Sequence, residues 1–171
     1  VMDWLTGQGI EVIPPLMTGF FLQSFVNKEA WSKSHVERSR IPASVVRGAY
    51  RLIWKEVEHV NRVCARYPYF TPFEDIFEQA RRASQVITLN AQFGEGWLLP
   101  GEIVSYAMEG VKNVVSLQPF GCIANHIVAK VLDKRITRLF PDINLLSLDF
   151  DSGVSEVNVT HRLLLFTTTL K

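Results

Sequence analysis

The chain has 171 residues, 47% hydrophobic and 20% charged, with 18 basic and 17 acidic side chains and a formal net charge of +1. That balance excludes a disordered chain, which needs low hydrophobicity and high net charge, and it leaves no basic excess for a nucleic-acid groove. The length suits a single domain over residues 1–171.

Residues 2–6 read as the end of a helix, stopped near Gly7 and Gly9. Residues 10–13 then read as a short strand, ended by Pro14 and Pro15, which cannot continue a ladder. Residues 20–39 are expected to be helical, with Phe21, Phe25 and Trp31 as apolar anchors. Pro42 suits the first turn of a longer helix. In that helix Val45, Ala49, Leu52, Ile53, Val57, Val60, Val63 and Cys64 fall near a 3.6 period. Thr71-Pro72-Phe73-Glu74 has the form of a capping box, opening a helix that carries Phe73, Ile76, Phe77 and Ala80.

From there the pattern alternates. Strands are expected at residues 86–89, 114–117 and 145–148, with helices over 100–109, 122–139 and 155–166. Gly110 closes the first of these helices, and Ile123, Ile127, Val131, Ile136 and Leu139 form the stripe of the second. Short apolar strands separated by amphipathic helices imply a parallel sheet covered on both faces. The expected fold is therefore α/β: a three-layer sandwich around a mostly parallel, doubly wound, flavodoxin-like sheet of about four strands.

In open parallel sheets, ligands sit at the carboxyl ends of the strands. That rule selects the loops after residues 13, 89, 117 and 148. Cys122 follows Gly121 at an expected helix N-terminus, where free N–H groups favour a thiolate. It suits a nucleophile or a metal ligand, or else a buried small hydrophobe. His126 lies one turn on, on the same face, but zinc wants four ligands and no second pair is near in sequence. Cys64 reads as a core residue. Gly94-Glu95-Gly96 lacks the third glycine of a dinucleotide fingerprint and the Lys-Ser/Thr of a P-loop. Asp149 and Asp151 suit a divalent cation or a surface turn with side-chain capping.

Three blocks carry a resemblance: Gly94-Glu95-Gly96-Trp97-Leu98-Leu99-Pro100-Gly101-Glu102, Gln118-Pro119-Phe120-Gly121-Cys122-Ile123-Ala124-Asn125-His126, and Asp149-Phe150-Asp151-Ser152-Gly153-Val154-Ser155-Glu156-Val157-Asn158. In that order they resemble the C-terminal region of proteins related to the activators of 2-hydroxyacyl-CoA dehydratases, the CoA-substrate-specific enzyme activase family. Val12-Ile13-Pro14-Pro15-Leu16 through Phe25-Val26-Asn27 is similar to that family as well. The resemblance implies a much longer protein, with an ATPase on other domains and a dehydratase-subunit-like region that holds an iron–sulfur cluster. It implies Cys122 as the cluster ligand, with Gly121, Gly94 and Gly96 in the binding loops and Glu95, Gln118, Asn125, His126, Asp149 and Asp151 as further candidates. The function it implies is low-potential electron transfer in ATP-driven dehydration of a 2-hydroxyacyl-CoA.

One thiolate cannot hold a cubane cluster, so the remaining ligands are expected from elsewhere. The isolated domain is then expected to be inactive. Its partners would be the remaining domains of its own chain, a dehydratase or a second subunit, with no nucleic acid and no membrane. The alternative is a non-catalytic module that binds a small ligand or docks a domain, with Cys122 merely packed. A purely structural scaffold would instead expose an apolar patch around residues 20–31.

Further expectations concern context. Two cysteines cannot build a disulfide framework, and free thiols suit a cytoplasmic protein. The N-terminus lacks the basic start and apolar centre of a signal peptide. The chain begins at Val1 with sequence that reads as mid-domain, so a fragment of a longer protein is expected.

Overall fold

The computed structural model describes residues 1–34, 41–92, 94–151, 153 and 155–170. Helix α1 (Met2–Gly7) ends as its glycines imply. Gly9 takes φ of +77°, and the N–H groups of Gly9 and Ile10 return to the carbonyls of Thr6 and Leu5. This Schellman closure satisfies the orphan carbonyls of the helix end. It also removes Ile10 from any ladder. Residues 10–13 form no strand, and Ile10 and Val12 instead pack as side chains beside Leu5, Leu148 and Leu163.

Helix α2 (Met17–Lys33) covers the described part of the expected helix; residues 35–40 lie outside the described residues. It buries Leu22 and Val26, whereas the expected anchor Phe21 is exposed. Helix α3 (Ala43–Cys64) starts after Pro42 as its sequence implies. Its packed stripe, however, is Val46, Tyr50, Trp54, Val57, Asn61 and Cys64. Val45, Leu52, Ile53, Val60 and Val63, which periodicity places in the core, face outward.

Polar contacts decide which side of α3 turns inward. The Arg47 guanidinium donates two bonds of 2.7 Å each to the Glu29 carboxylate on α2. Tyr50 Oη donates to Asp75 Oδ2 at 2.7 Å. Asn61 clamps the Phe73 backbone, accepting from its N–H at 2.9 Å and donating to its carbonyl at 3.0 Å. These bonds also move the expected helix start. Helix α4 (Ile76–Ala83) is capped by Asp75, whose Oδ1 accepts from the N–H groups of Phe77 and Glu78 at 2.8 and 3.2 Å. The capping box at Thr71 does not form, and residues 71–75 stay irregular.

After α4 the N–H groups of Val86 and Ile87 both bond to the Ala83 carbonyl at 3.0 Å. Residues 86–89 are therefore turns, although Val86 is fully buried. Helix α5 (Leu98–Met108) ends in a second Schellman closure, with Gly110 at φ +88° and the N–H groups of Gly110 and Val111 on the carbonyls of Ala107 and Tyr106. Strands β1 (Asn113–Pro119) and β2 (Asn144–Phe150) pair in parallel, from Asn113 opposite Asn144 to Pro119 opposite Phe150. A π-helical segment (Ala124–Ala129) and helix α6 (Lys130–Leu139) make the crossover that a parallel pair requires. Helix α7 (Glu156–Thr168) completes the described chain.

The fold differs from the expected four-stranded, flavodoxin-like three-layer sandwich. It is 58% helical, with one two-stranded parallel sheet among the described residues. Two of the four apolar runs make ladders, and the other two supply buried side chains while helix ends take their N–H groups. Short apolar runs do not by themselves separate these outcomes.

One face of the β pair packs through Val114 and Leu145 on Ile103, Val104 and Ile136. The other packs through Val115, Leu146, Leu148 and Phe150 on α1 and α7. A third cluster joins α2, α3, α4 and α5 around Tyr50, Ile76 and Trp97. No helix among the described residues is long and apolar enough to cross a membrane.

The Glu29 contact carries a pH signature. The Arg47 bonds, aided by Lys33, hold the Glu29 carboxyl down at about 2 against its burial. A depressed carboxylate contributes stability that is present above its unfolded pKa near 4.5 and is lost as pH falls toward 2. We expect Glu29→Gln to cost about 2 kcal/mol at pH 7, as for a hydrogen bond to a charged group. Urea unfolding from pH 7 to pH 3 checks this, and the gap between the two proteins should shrink at the acid end.

Candidate functional site

The carboxyl ends of β1 and β2 form a corner. Phe120 extends the ladder, its N–H reaching the Phe150 carbonyl at 2.6 Å. The chain then turns sharply. Gly121 takes φ of +78°, and the Cys122 N–H bonds to the Pro119 carbonyl at 3.2 Å. A turn with positive φ at its third position needs glycine there, so Gly121 fixes where Cys122 emerges.

Cys122 is partly buried just before the π-helical segment. Its Sγ accepts a hydrogen bond from Asn125 Nδ2 at 3.0 Å, and Asn125 is itself buried. His126 turns back on the same turn. Its Nδ1 lies 3.1 Å from the Cys122 carbonyl, which can only accept, so Nδ1 carries the proton. That bond fixes the ring on the Cys122 carbonyl and leaves Nε2 as its acceptor atom.

The π-helical geometry also rotates the crossover. The wider turns inward-face Ala124, Asn125 and Val128, leading into Ile136 on α6. Ile123, Ile127, Val131 and Leu139, expected as the buried stripe, are exposed, and so is Phe120. The corner therefore carries an apolar rim around its thiol.

The glycine loop reaches the same corner. A Cβ built on Gly94, which has φ of +60°, would touch the Ala124 side chain at 3.8 Å. Gly96 has a separate reason. A Cβ there would overlap the Ala91 carbonyl, which accepts the Trp97 N–H at 2.8 Å. Gly96 is thus a requirement of loop closure, and Phe93 lies outside the described residues. The charge of Glu95 is felt by Glu102 on α5.

Gln118 sits on β1 beside Asp149 on β2, on the face covered by α6. It is fully buried, and neither side-chain amide atom has a hydrogen-bond partner among the described residues. Asp149 is held by Lys130 Nζ at 2.8 and 2.9 Å. Asp151 accepts the Gly153 N–H at 2.7 Å, an Asx turn. Both aspartates are thereby accounted for without a cation. Ser152 and Val154 of the same loop lie outside the described residues.

The corner thus gathers Gly94, Gln118, Gly121, Cys122, Asn125 and His126, with Asp149 on the neighbouring strand end. Cluster chemistry asks for several thiolates. Among the described residues no three His, Cys, Asp or Glu side chains are grouped so that they could hold a metal ion, and Cys64 belongs to α3. The donor set therefore fits one ligand of a shared cluster and not a complete set.

No protein-family model matches the chain, no curated protein is significantly similar in sequence, and no solved structure is significantly similar in fold.

One residue escaped the sequence reading. Glu102 is a lone charge in the otherwise uncharged α5 segment Leu98–Met108, and that isolation was its visible signal. Burial, reinforced by the Glu95 charge, pushes its carboxyl up to about 8.

The unpaired amide of Gln118 is testable. A buried polar group without a partner costs free energy, and an apolar group of similar shape relieves it. We expect Gln118→Leu to raise the unfolding free energy by about 1 kcal/mol in urea titration. A loss instead would show that the folded chain uses the amide.

Proposed function

We propose that this chain is an assembly domain that brings one thiolate, Cys122, to a site completed by another domain of the same protein or by a second subunit. By its resemblance to the activase-related proteins, that site is an iron–sulfur centre in ATP-driven dehydration of a 2-hydroxyacyl-CoA. The bound group would supply low-potential one-electron transfer. This chain would supply the ligand, the Asn125 donor that orients its sulfur, and the apolar rim of Phe120, Ile123 and Ile127 on which a partner can settle.

The observation that carries the reading is the presentation of the Cys122 sulfur. Gly121 fixes the turn, Asn125 donates to Sγ, and the surrounding large side chains are apolar and exposed. Hydrogen bonds to cluster sulfurs are a known lever on potential. A cytoplasmic setting belongs to the same reading, since both cysteines remain free thiols.

The test is iron and acid-labile sulfide content of the full-length protein, purified without oxygen. Cys122→Ser should lose most of both, while Cys64→Ser should keep them and serve as the folding control. Equal cluster content in the Cys122→Ser protein and the parent would overturn the proposal. That result would favour the module with a packed cysteine.

A further inference from the structure

A second site lies away from the thiol corner, where the start of α2, the 71–75 segment, α4 and α5 meet. It is a cavity of about 80 Å³, open to solvent on one side. At about 30 Å³ per water in the liquid, it has the room of two to three waters. Its polar lining is dominated by Glu74, Glu102, Glu109, Gln79, Ser105 and Tyr106, and none of its lining residues is a Lys or an Arg.

The charges there are unequally served. Arg82, the nearby cation of α4, is shared by Glu74 at 3.1 Å, Glu109 at 2.9 Å and Glu78 at 3.7 Å. Glu102 has no hydrogen bond or ion pair among the described residues. Ser105 is nine-tenths buried in the same lining, and its hydroxyl lies beside the Glu74 carboxyl without a well-formed hydrogen bond. A buried carboxyl without a counter-ion and an unserved hydroxyl both cost free energy unless something supplies N–H donors. The apolar part of the lining is Pro14, Pro15, Leu16, Pro72 and Phe73.

We propose that this cavity binds a primary alkylammonium group, with Glu102 as its counter-ion, the Ser105 and Tyr106 hydroxyls as further acceptors, and its methylenes along the Pro14, Pro15 and Phe73 wall. Three N–H donors on a compact cation match three clustered acceptors. An anion would meet three carboxyls. The site is independent of Cys122.

The ligand competes with a proton. Glu102 holds its proton up to about pH 8 because of burial and then Glu95. Facing it are Glu74, paired with Arg82, from the segment before α4, and Tyr106 and Glu109 from α5; the α2 side contributes no charged lining residue. Tyr106 is itself held up to about 12 by burial, Glu102 and Glu109, so it stays protonated throughout. Only the ionised carboxyl binds the cation, so apparent affinity follows the ionised fraction. Between pH 9 and pH 6.5 that fraction falls roughly 30-fold.

The experiment is a titration of the 171-residue chain with n-propylammonium, followed by nuclear magnetic resonance shifts, with n-propanol as the neutral probe of the same shape. We expect saturable shifts at α5 and the 71–75 segment with the ammonium and none with the alcohol. Affinity should weaken roughly 30-fold from pH 9 to pH 6.5. Glu102→Gln, which keeps the shape and removes the charge, should weaken binding at pH 9 at least ten-fold. Equal responses to amine and alcohol, or unchanged binding in Glu102→Gln, would overturn the proposal. The pH profile of the unaltered chain decides the matter by itself if that variant fails to fold.

Discussion

A parallel pair of strands cannot stand by itself. Its hydrogen bonds are slanted, its connection must cross over, and both faces need cover. With two strands the sheet has no inner member, so every apolar side chain on it depends on helices brought from elsewhere in the chain. Here α1 and α7 serve one face, and α5 and α6 serve the other. Arg162 on α7 ties itself to the Ser147 carbonyl at 2.7 Å, and Asp133 on α6 accepts from Ser147 Oγ at 2.6 Å. One residue of β2 thus anchors a helix on each side. The thiol corner is a by-product of this constraint, because the crossover must begin where β1 ends and Gly121 must make the turn.

The helical half is organised differently. There the apolar surface exceeds what neighbours can cover, and hydrogen bonds choose among the available faces. Tyr50 on Asp75, Asn61 on the Phe73 backbone and Arg47 on Glu29 all lie on one side of α3. Each loses its bond if the helix turns by a quarter. An apolar stripe of equal hydrophobicity on the next side has no such anchors, so Val45, Leu52 and Val60 stay in solvent. The hydrophobic effect is non-directional, and the directional bonds settle the rotation.

That division explains what was legible in the sequence. The helix ends at Gly9 and Gly110 read correctly because a helix stop with positive φ is a local requirement, and both glycines take it. The start of α3 after Pro42 and the parallel order of β1, crossover and β2 were likewise visible, since both rest on local pattern. Residues 10–13 and 86–89 looked like the true strands because they have the same composition and length. What separates them is where Ile10 and Val86 send their N–H groups, and that depends on how the preceding helix ends. The rotation of α3 and the placing of Asp75 depend on partners twelve to twenty-five positions away, which periodicity does not see. At the corner, the place of Cys122 just after Gly121 was legible because it rests on the local turn.

The 94–97 loop links the two halves physically. Gly94 lies against Ala124 at the start of the crossover, while Glu95 adds its charge to the surroundings of Glu102 on α5. The loop is held rigidly for its size. The Trp97 indole is fully buried and donates to Asn27 Oδ1 at 2.6 Å, and the Gln92 amide spans from the Leu89 carbonyl at 2.8 Å to the Asn27 carbonyl at 3.2 Å. Gly96 lets the Trp97 N–H reach Ala91, which no side chain at that position would permit. A segment pinned at both ends by buried bonds transmits displacement instead of absorbing it. The same loop therefore meets the crossover through Gly94 and bears on Glu102 through the Glu95 charge, although the thiol corner and the acidic cavity have no lining residue in common.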